Sequence, residues 1–451
     1  MRVLIRGGTL VQCDASGTIA DGDLLVDGGR IAAIGQVPEQ MTSSRNGGPI
    51  RVIDARGCAV MPGFVQAHVH LCQVLFRGMA DDLPLLSWLE RRIWPFEAAH
   101  DDASLSASAE LGLLEMMLAG TTTILDMGTV HGYDAVFDAC ERAGIRVFGG
   151  KTMMDSGDRV PSGLRESTSS SLRESDRLRA TWSGRGDGRL AYAYAPRFIL
   201  SCTEALFRGT VERANDAGAP GRALLHSHVA EHPDERAAVR GVLGDDDIAV
   251  LRKWGFKGKN TLLAHGVQLT DDEIDIVAQD GTRIVHCPSA NLKLGSGIAR
   301  VHELARRGVQ LALGGDGAPC NNNLDPRIEL RHAALLAKVR TGVTTVPARQ
   351  ALELATIEGA RALGIESEVG SLEQGKRADL LVVRMDGPHV EPGGDAWSRL
   401  VYGCTSRDVV HVMVDGRLVV RNGEHARLDH DEVLATARVQ AEKLVARAEA
   451  S

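Results

Sequence analysis

Eight apolar stretches recur between residues 64 and 318, and helix-like sequence separates most of them. They read FVQAHVHL (64–71), TTTILDMG (121–128), IRVFGGKTMM (145–154), RLAYAYAPR (189–197), RALLHSHVA (222–230), TLLAHGVQL (261–269), RIVHCPSA (283–290) and QLALGGDGA (310–318). Between them lie helical patterns such as 103–119 and TDDEIDIVAQD (270–280), the latter opening on a threonine N-cap. Strands that alternate with helices pair in parallel, because each crossover brings the chain back to start in the same direction. An α/β chain of this pattern closes into a (β/α)8, TIM-like barrel or spreads into a doubly wound open sheet.

Outside that alternation the texture changes. The first 60 residues are short strands joined by glycine turns, VLIRGGTLVQ, DLLVDGGRIAAIG and RVIDARGCAVMPG, with DGG as a hairpin turn. ADLLVVRM and VVHVMVDGRLVVRNGE repeat that vocabulary near the other end. The expected organisation is a composite β-sandwich with a C-terminal helix from residues 1–60 plus 368–451, around a barrel over 61–367. The last segment, DEVLATARVQAEKLVARAEA, reads as an amphipathic helix packing on the sandwich, with a homo-oligomer contact as the alternative. Segment 155–188 is polar, and reads as a lid-like insertion beside the barrel mouth or as a solvated loop ending in a helix.

With 44% hydrophobic and 24% charged residues, the composition is that of a soluble globular protein. A net charge of −8 gives nucleic acid and anionic membranes no electrostatic footing. Eight scattered cysteines without a CxxC pair point to reduced thiols. There is no signal-peptide pattern and no apolar run of the roughly 18–20 residues that span a bilayer, so a cytoplasmic location is expected.

The chemistry gathers at one end of the strand pattern. His68 and His70 are spaced i, i+2 near the end of the first stretch, so both rings leave the same face of that strand. His228 closes the fifth, His265 lies in the sixth and Asp316 closes the eighth. A lone histidine in an apolar strand is usually a satisfied core residue. Four histidines and a carboxylate at the C-terminal ends of strands, where barrels build their sites, are the pattern of a metal centre. Imidazoles with one carboxylate suit Zn²⁺ or Fe²⁺ with an open position for water. Glu231, three residues beyond His228, stands where the strand turns into its loop and can serve as the proton carrier that hydrolysis needs.

These segments resemble the amidohydrolase superfamily, in its branch of nucleoside and nucleobase deaminases and triazine hydrolases. The resemblance covers nearly the whole chain. It rests on MPGFVQAHVHL, RGMADDLPLLSWLERRIWPFE, HSHVAEH, AHGVQL, HCPSANLKLGSG, LGGDGAPCNNNLD and GSLEQGKRADLLVV. Within the branch the chain is most similar to 5′-deoxyadenosine, methylthioadenosine and S-adenosylhomocysteine deaminases. The resemblance implies that His68, His70, His228 and Asp316 hold the metal, that Glu231 is the acid/base and that His265 stands beside the reacting water. It further implies that Glu97 binds ribose hydroxyls. Two-metal members carry a lysine at the end of the fourth strand. YAYAPRF has none, so one ion is expected, zinc or iron. Relatives place a substrate-contacting histidine just after that strand, where this chain has Arg197. That guanidinium is read either as a grip on the substrate or as an ion pair on the barrel rim.

The expected function is therefore a hydrolytic deaminase of a small adenine nucleoside. Guanine or oxidised-purine deamination and triazine hydrolysis are rivals on the same site, and a non-catalytic ligand-binding barrel is the remote one. His226 is read as a packing or supporting residue, His286 as lining or supporting the pocket, Ser289 and Asn291 as groups that orient ligands or substrate, and Lys151 as half of a salt bridge. Asp126 is read as an acceptor behind the site or a turn cap, and Cys72 and Cys320 as buried thiols.

Overall fold

The computed structural model describes residues 2–42, 49–219, 221 and 223–450. Barrel strands one to seven are Phe64–His70, Thr121–Met127, Arg146–Gly150, Leu190–Pro196, Ala223–Val229, Thr261–His265 and Arg283–His286. Strand eight is interrupted. Leu311–Leu313 pairs with strand seven, and Asp316–Gly317 pairs in parallel with strand one, Asp316 opposite Val69. Successive strands are hydrogen-bonded neighbours, so this last pairing closes the ring.

Every residue of strands one, two and three is buried, as strands covered on both faces must be. Gly314 and Gly315 fill the break in strand eight for a steric reason. A Cβ on Gly314 would stand 2.8 Å from both the Cβ and the carbonyl oxygen of His68.

Several expected boundaries shift. The sixth strand stops at His265, where φ values of 75° at His265 and 58° at Gly266 turn the chain out of the sheet. The seventh stops at His286, because Pro288 opens the helix Pro288–Lys293. Arg222, which begins the expected fifth strand, lies outside the described residues, as do Met1 and residues 43–48 of the expected sandwich. Helix Asp271–Asp280 begins as its sequence indicates: the Thr270 hydroxyl accepts from the Glu273 amide in a capping box. Within 155–188 the second half is the helix Thr168–Trp182, capped by Ser167.

The chain divides into two compact units. The first contains Gln66–Leu113, Ile124–Leu324 and His430–Ser451; the second runs to Val65 and adds Leu114–Thr123 and Asp325–Asp429. In the second unit, strands from both chain ends form one nine-stranded sheet. Its core joins Val3, Leu24 and Val60 from the front of the chain to Leu380, Val382 and Met413 from the back. The DGG turn is a two-residue hairpin: Asp27 pairs with Arg30, and Gly28 and Gly29 take φ of 57° and 84°.

One expectation is corrected here. The helix His430–Glu449 belongs to the barrel unit and not to the sheet of chain ends. Its Arg447 donates to the Ala99 carbonyl at 2.7 Å and pairs with Asp101 at 3.0 Å. Among the described residues no helix is long and apolar enough to cross a membrane.

Candidate active site

Four imidazoles and two carboxyl groups meet at the C-terminal ends of the strands. Ligand atoms of His68, His228, His265 and Asp316 all lie within 4.8 Å of one another. His70 Nε2 joins them, 3.3 Å from His228 Nε2 and 3.3 Å from Asp316 Oδ1. His265 and Asp316 both take left-handed backbone conformations, φ 75° and 58°, the first where strand six ends and the second where strand eight resumes.

Hydrogen bonds behind each ring decide where its proton sits. His70 Nδ1 donates to the Met127 carbonyl at 2.7 Å and His228 Nδ1 to the Arg197 carbonyl at 2.7 Å. His265 Nδ1 donates to Asn291 Oδ1 at 2.9 Å. For His68 the arrangement is a relay. His226 Nδ1 donates to the Leu262 carbonyl at 3.0 Å, which leaves His226 Nε2 as an acceptor for His68 Nδ1 at 2.7 Å. With Nδ1 committed to donation in each, all four rings turn Nε2 toward the centre. Burial pushes the His68 imidazole down to about 4 and His228 well below its ordinary value, so both are neutral near pH 7.

This donor set is unstable alone. His68 Nε2 is buried with no hydrogen-bond partner, and it stands 3.3 Å from Asp316 Oδ1, lone pair against carboxylate. His265 Nε2 is likewise buried and unpartnered. A divalent cation satisfies all of them at once, and imidazole with carboxylate is zinc and iron chemistry. The residues present fit a metal.

Beside the centre lies Glu231. The chain turns at Ala230, φ 46°, and Glu231 enters the cavity just before the helix Pro233–Leu243. Glu231 Oε2 lies 3.6 Å from His265 Nε2, and Oε1 is buried without a partner. Burial, with the negative charge of Asp316 adding to it, pushes this carboxyl well above the usual carboxylate range. Glu235 fixes it in place by accepting from the Glu231 amide at 2.8 Å.

A cavity opens over these groups. Leu85, Trp88, Leu89, Phe198 and Leu294 give it apolar walls, and Gln73, Arg197 and Glu235 are its polar lining beyond the centre. Arg197 pairs with Glu97 at 2.5 Å, both side chains buried. Arg197 is thus in an ion pair, but the pair is buried and not on the rim, and its partner is the glutamate expected to bind ribose. Lys151 pairs with Glu166 as read. Asp126 accepts from the Leu71 amide at 2.8 Å and the Tyr133 hydroxyl at 2.7 Å, holding the chain just past His70. Cys320 donates to the Gly317 carbonyl at 3.1 Å.

Two contributors escaped the sequence reading. Glu235 was open to discovery, because HPDE has capping-box spacing, with His232 at the N-cap. Gln73 carries no sequence signal.

The amidohydrolase family matches residues 59–419. A 5′-deoxyadenosine deaminase from Methanosarcina acetivorans is 37% identical over 450 residues, covering 99% of each chain. A 5-methylthioadenosine/S-adenosylhomocysteine deaminase from Halobacterium salinarum is 39% identical over 451 residues, covering 98% of each. Among solved structures, a zinc-bound adenosine deaminase from Xanthomonas campestris superposes with a TM-score of 0.89 at 30% identity, covering 98% of each chain. An atrazine chlorohydrolase from Arthrobacter aurescens, complexed with zinc, gives 0.89 at 25% identity over 97% of this chain and 100% of its own.

Proposed function

The chain belongs to the amidohydrolase family, and from that premise we propose that it is a hydrolytic deaminase of adenine nucleosides. It converts 5′-deoxyadenosine, 5′-methylthioadenosine, S-adenosylhomocysteine or adenosine to the inosine analogue and ammonia. The observation that carries this reading is the meeting of imidazole Nε2 atoms and the Asp316 carboxylate beside the buried carboxyl of Glu231. His68, His70, His228 and Asp316 are assigned as ligands of one divalent ion, zinc, with iron as the alternative. When bound, the ion lowers the pKa of water toward ~7, so that hydroxide is available at neutral pH.

The chain's own groups do the rest. Asp316 takes the proton of the attacking water. His265, whose Nδ1–H is committed to Asn291, turns a lone pair toward that water and orients it. Glu231 gives its proton to the ring nitrogen next to the carbon that bears the amino group. The proton held on Asp316 leaves with that amino group as ammonia; the ring nitrogen keeps its hydrogen, and Glu231 is reprotonated by the hydroxyl of the added water as it becomes the oxo group of the product. Leu85, Trp88, Phe198 and Leu294 hold the flat base and exclude water. Arg197 and Glu97 are assigned to the sugar side. All eight cysteines are free thiols, which suits the proposed cytoplasmic location.

The test is ammonia release by zinc-loaded protein from the four nucleosides, guanine and a chlorotriazine, side by side. Turnover of the adenine nucleosides, lost on chelation, is the expected result. Turnover confined to a free base or the triazine would overturn the substrate assignment.

A further inference from the structure

The walls of the cavity are almost closed to solvent. Leu85, Trp88, Leu89, Phe198 and Leu294 are each 6% exposed or less, and Glu231 and Asp316 beneath them are each 4% exposed. Walls this close admit a nucleoside only if one of them moves. Three of the five residues come from one continuous helical run. Leu85–Trp88 and Trp94–Ala98 are α-helical, and Leu89–Ile93 between them is a π turn, a place where helices kink. The far end of the run is fixed. The Ala99 carbonyl accepts from Arg447 at 2.7 Å, and Phe96 stacks on Phe76 with ring centroids 5.1 Å apart. Within the π turn, Glu90 pairs with Arg159 at 2.8 Å, which holds that point to the segment after strand three.

The near end is held differently. Residues 77–84, which lead into the run, are exposed or half-buried except for Ala80, and Gly78 and Asp82 take left-handed φ of 73° and 59°. A knot of side chains ties this stretch to the loops after strands seven and eight. Lys293 pairs with Asp81 and donates to the Pro319 carbonyl at 2.8 Å. Asn322 donates to Asp81 at 3.3 Å and accepts from the Gly78 amide at 3.0 Å. The Lys293 and Asp81 side chains are 26% and 42% exposed, so water and salt compete with their pairing.

We propose that residues 78–88 form a lid over the barrel mouth, hinged at Gly78 and at the π turn and latched by Lys293 on Asp81. The nucleoside enters and its inosine product leaves while the latch is open. Closure brings Leu85 and Trp88 onto the base and shuts out water. The inference rests on the nucleoside reading for the molecule that passes.

The experiment locks the latch. The zinc-loaded Asp81→Cys, Lys293→Cys double variant is joined with a bis-methanethiosulfonate, which dithiothreitol removes. The native cysteines are buried apart from half-buried Cys58, and each single variant treated in the same way controls for them. Cross-linking should lower ammonia release from 5′-deoxyadenosine roughly tenfold or more, with full recovery on reduction. The treated single variants should stay within about threefold of the parent, since an exposed ion pair contributes little. Undiminished turnover in the cross-linked protein would show that the nucleoside enters without the lid, and overturns the proposal. If the double variant does not fold, hydrogen exchange decides. Asp81→Asn should then speed exchange of the amides of residues 85–89 roughly two- to fivefold, with those of 94–98 unchanged. Equal rates in parent and variant, or a rise shared by both stretches, overturns it. Failure of the nucleoside reading looks different. The parent would then release no ammonia from 5′-deoxyadenosine, while hydrogen exchange would still report the lid.

Discussion

At the scale of single residues, the site depends on where protons sit. Glu231 is suited to act as an acid because burial beside Asp316 raises its carboxyl well above the usual range. Glu231→Gln keeps the shape and removes the transferable proton, so kcat should fall roughly 10²–10⁴-fold with zinc content unchanged. Near-parental turnover with metal bound would remove Glu231 from that role. His226 acts one step further back, by making His68 Nδ1 the protonated nitrogen. His226→Phe fills the space without the acceptor, and zinc affinity measured against a competing chelator should drop by roughly 10–100-fold. The histidines and Glu231 were legible because i, i+2 spacing and strand ends are sequence facts. The His68–His226 bond was not, since it joins positions 158 apart and depends on ring orientation. The Arg197–Glu97 pair was invisible for the same reason: each residue could be read alone, but their meeting is a product of the fold.

Among the elements, strand eight carries the tightest constraint. Its break at Gly314 and Gly315 lets the chain pass His68 and brings Asp316 beside Val69. Gly314→Ala should destabilise the protein by about 1–3 kcal/mol, the usual cost of overpacking, and lower its zinc content as His68 is displaced. Denaturant unfolding and metal analysis of the purified variant check both; an unchanged midpoint and full zinc would show that the strand can give way. Element identity was readable from the apolar period, and element ends less so. The expected strands over 261–269 and 283–290 overran because the period continues past the turns at His265 and Pro288. The terminal helix was assigned to the wrong unit because its amphipathic pattern says only that it packs, and Arg447 chooses the surface.

For the whole molecule, pH and metal set the stability. Burial pushes the His100 imidazole down to about 4, and does the same to His425. An unfolded chain has histidines near 6.5. Above that value both states are neutral and the contribution is complete. As pH falls from 6.5 toward 4 the unfolded chain takes up protons that the folded chain refuses, so stability declines through that window. Thermal midpoints of zinc-free protein should fall across it, and less steeply in His100→Gln; parallel slopes would exclude His100 as a source. Zinc binds the folded centre, so it should raise the midpoint in proportion to the logarithm of its free concentration.

The most direct test of a one-metal deaminase is a titration. Metal-free protein receives zinc in fractional equivalents while ammonia release from 5′-deoxyadenosine is followed. Activity should be absent at the start, rise linearly and level off at one equivalent per chain. Turnover before any zinc is added, or a plateau only at two equivalents, would contradict a single ion held by His68, His70, His228 and Asp316.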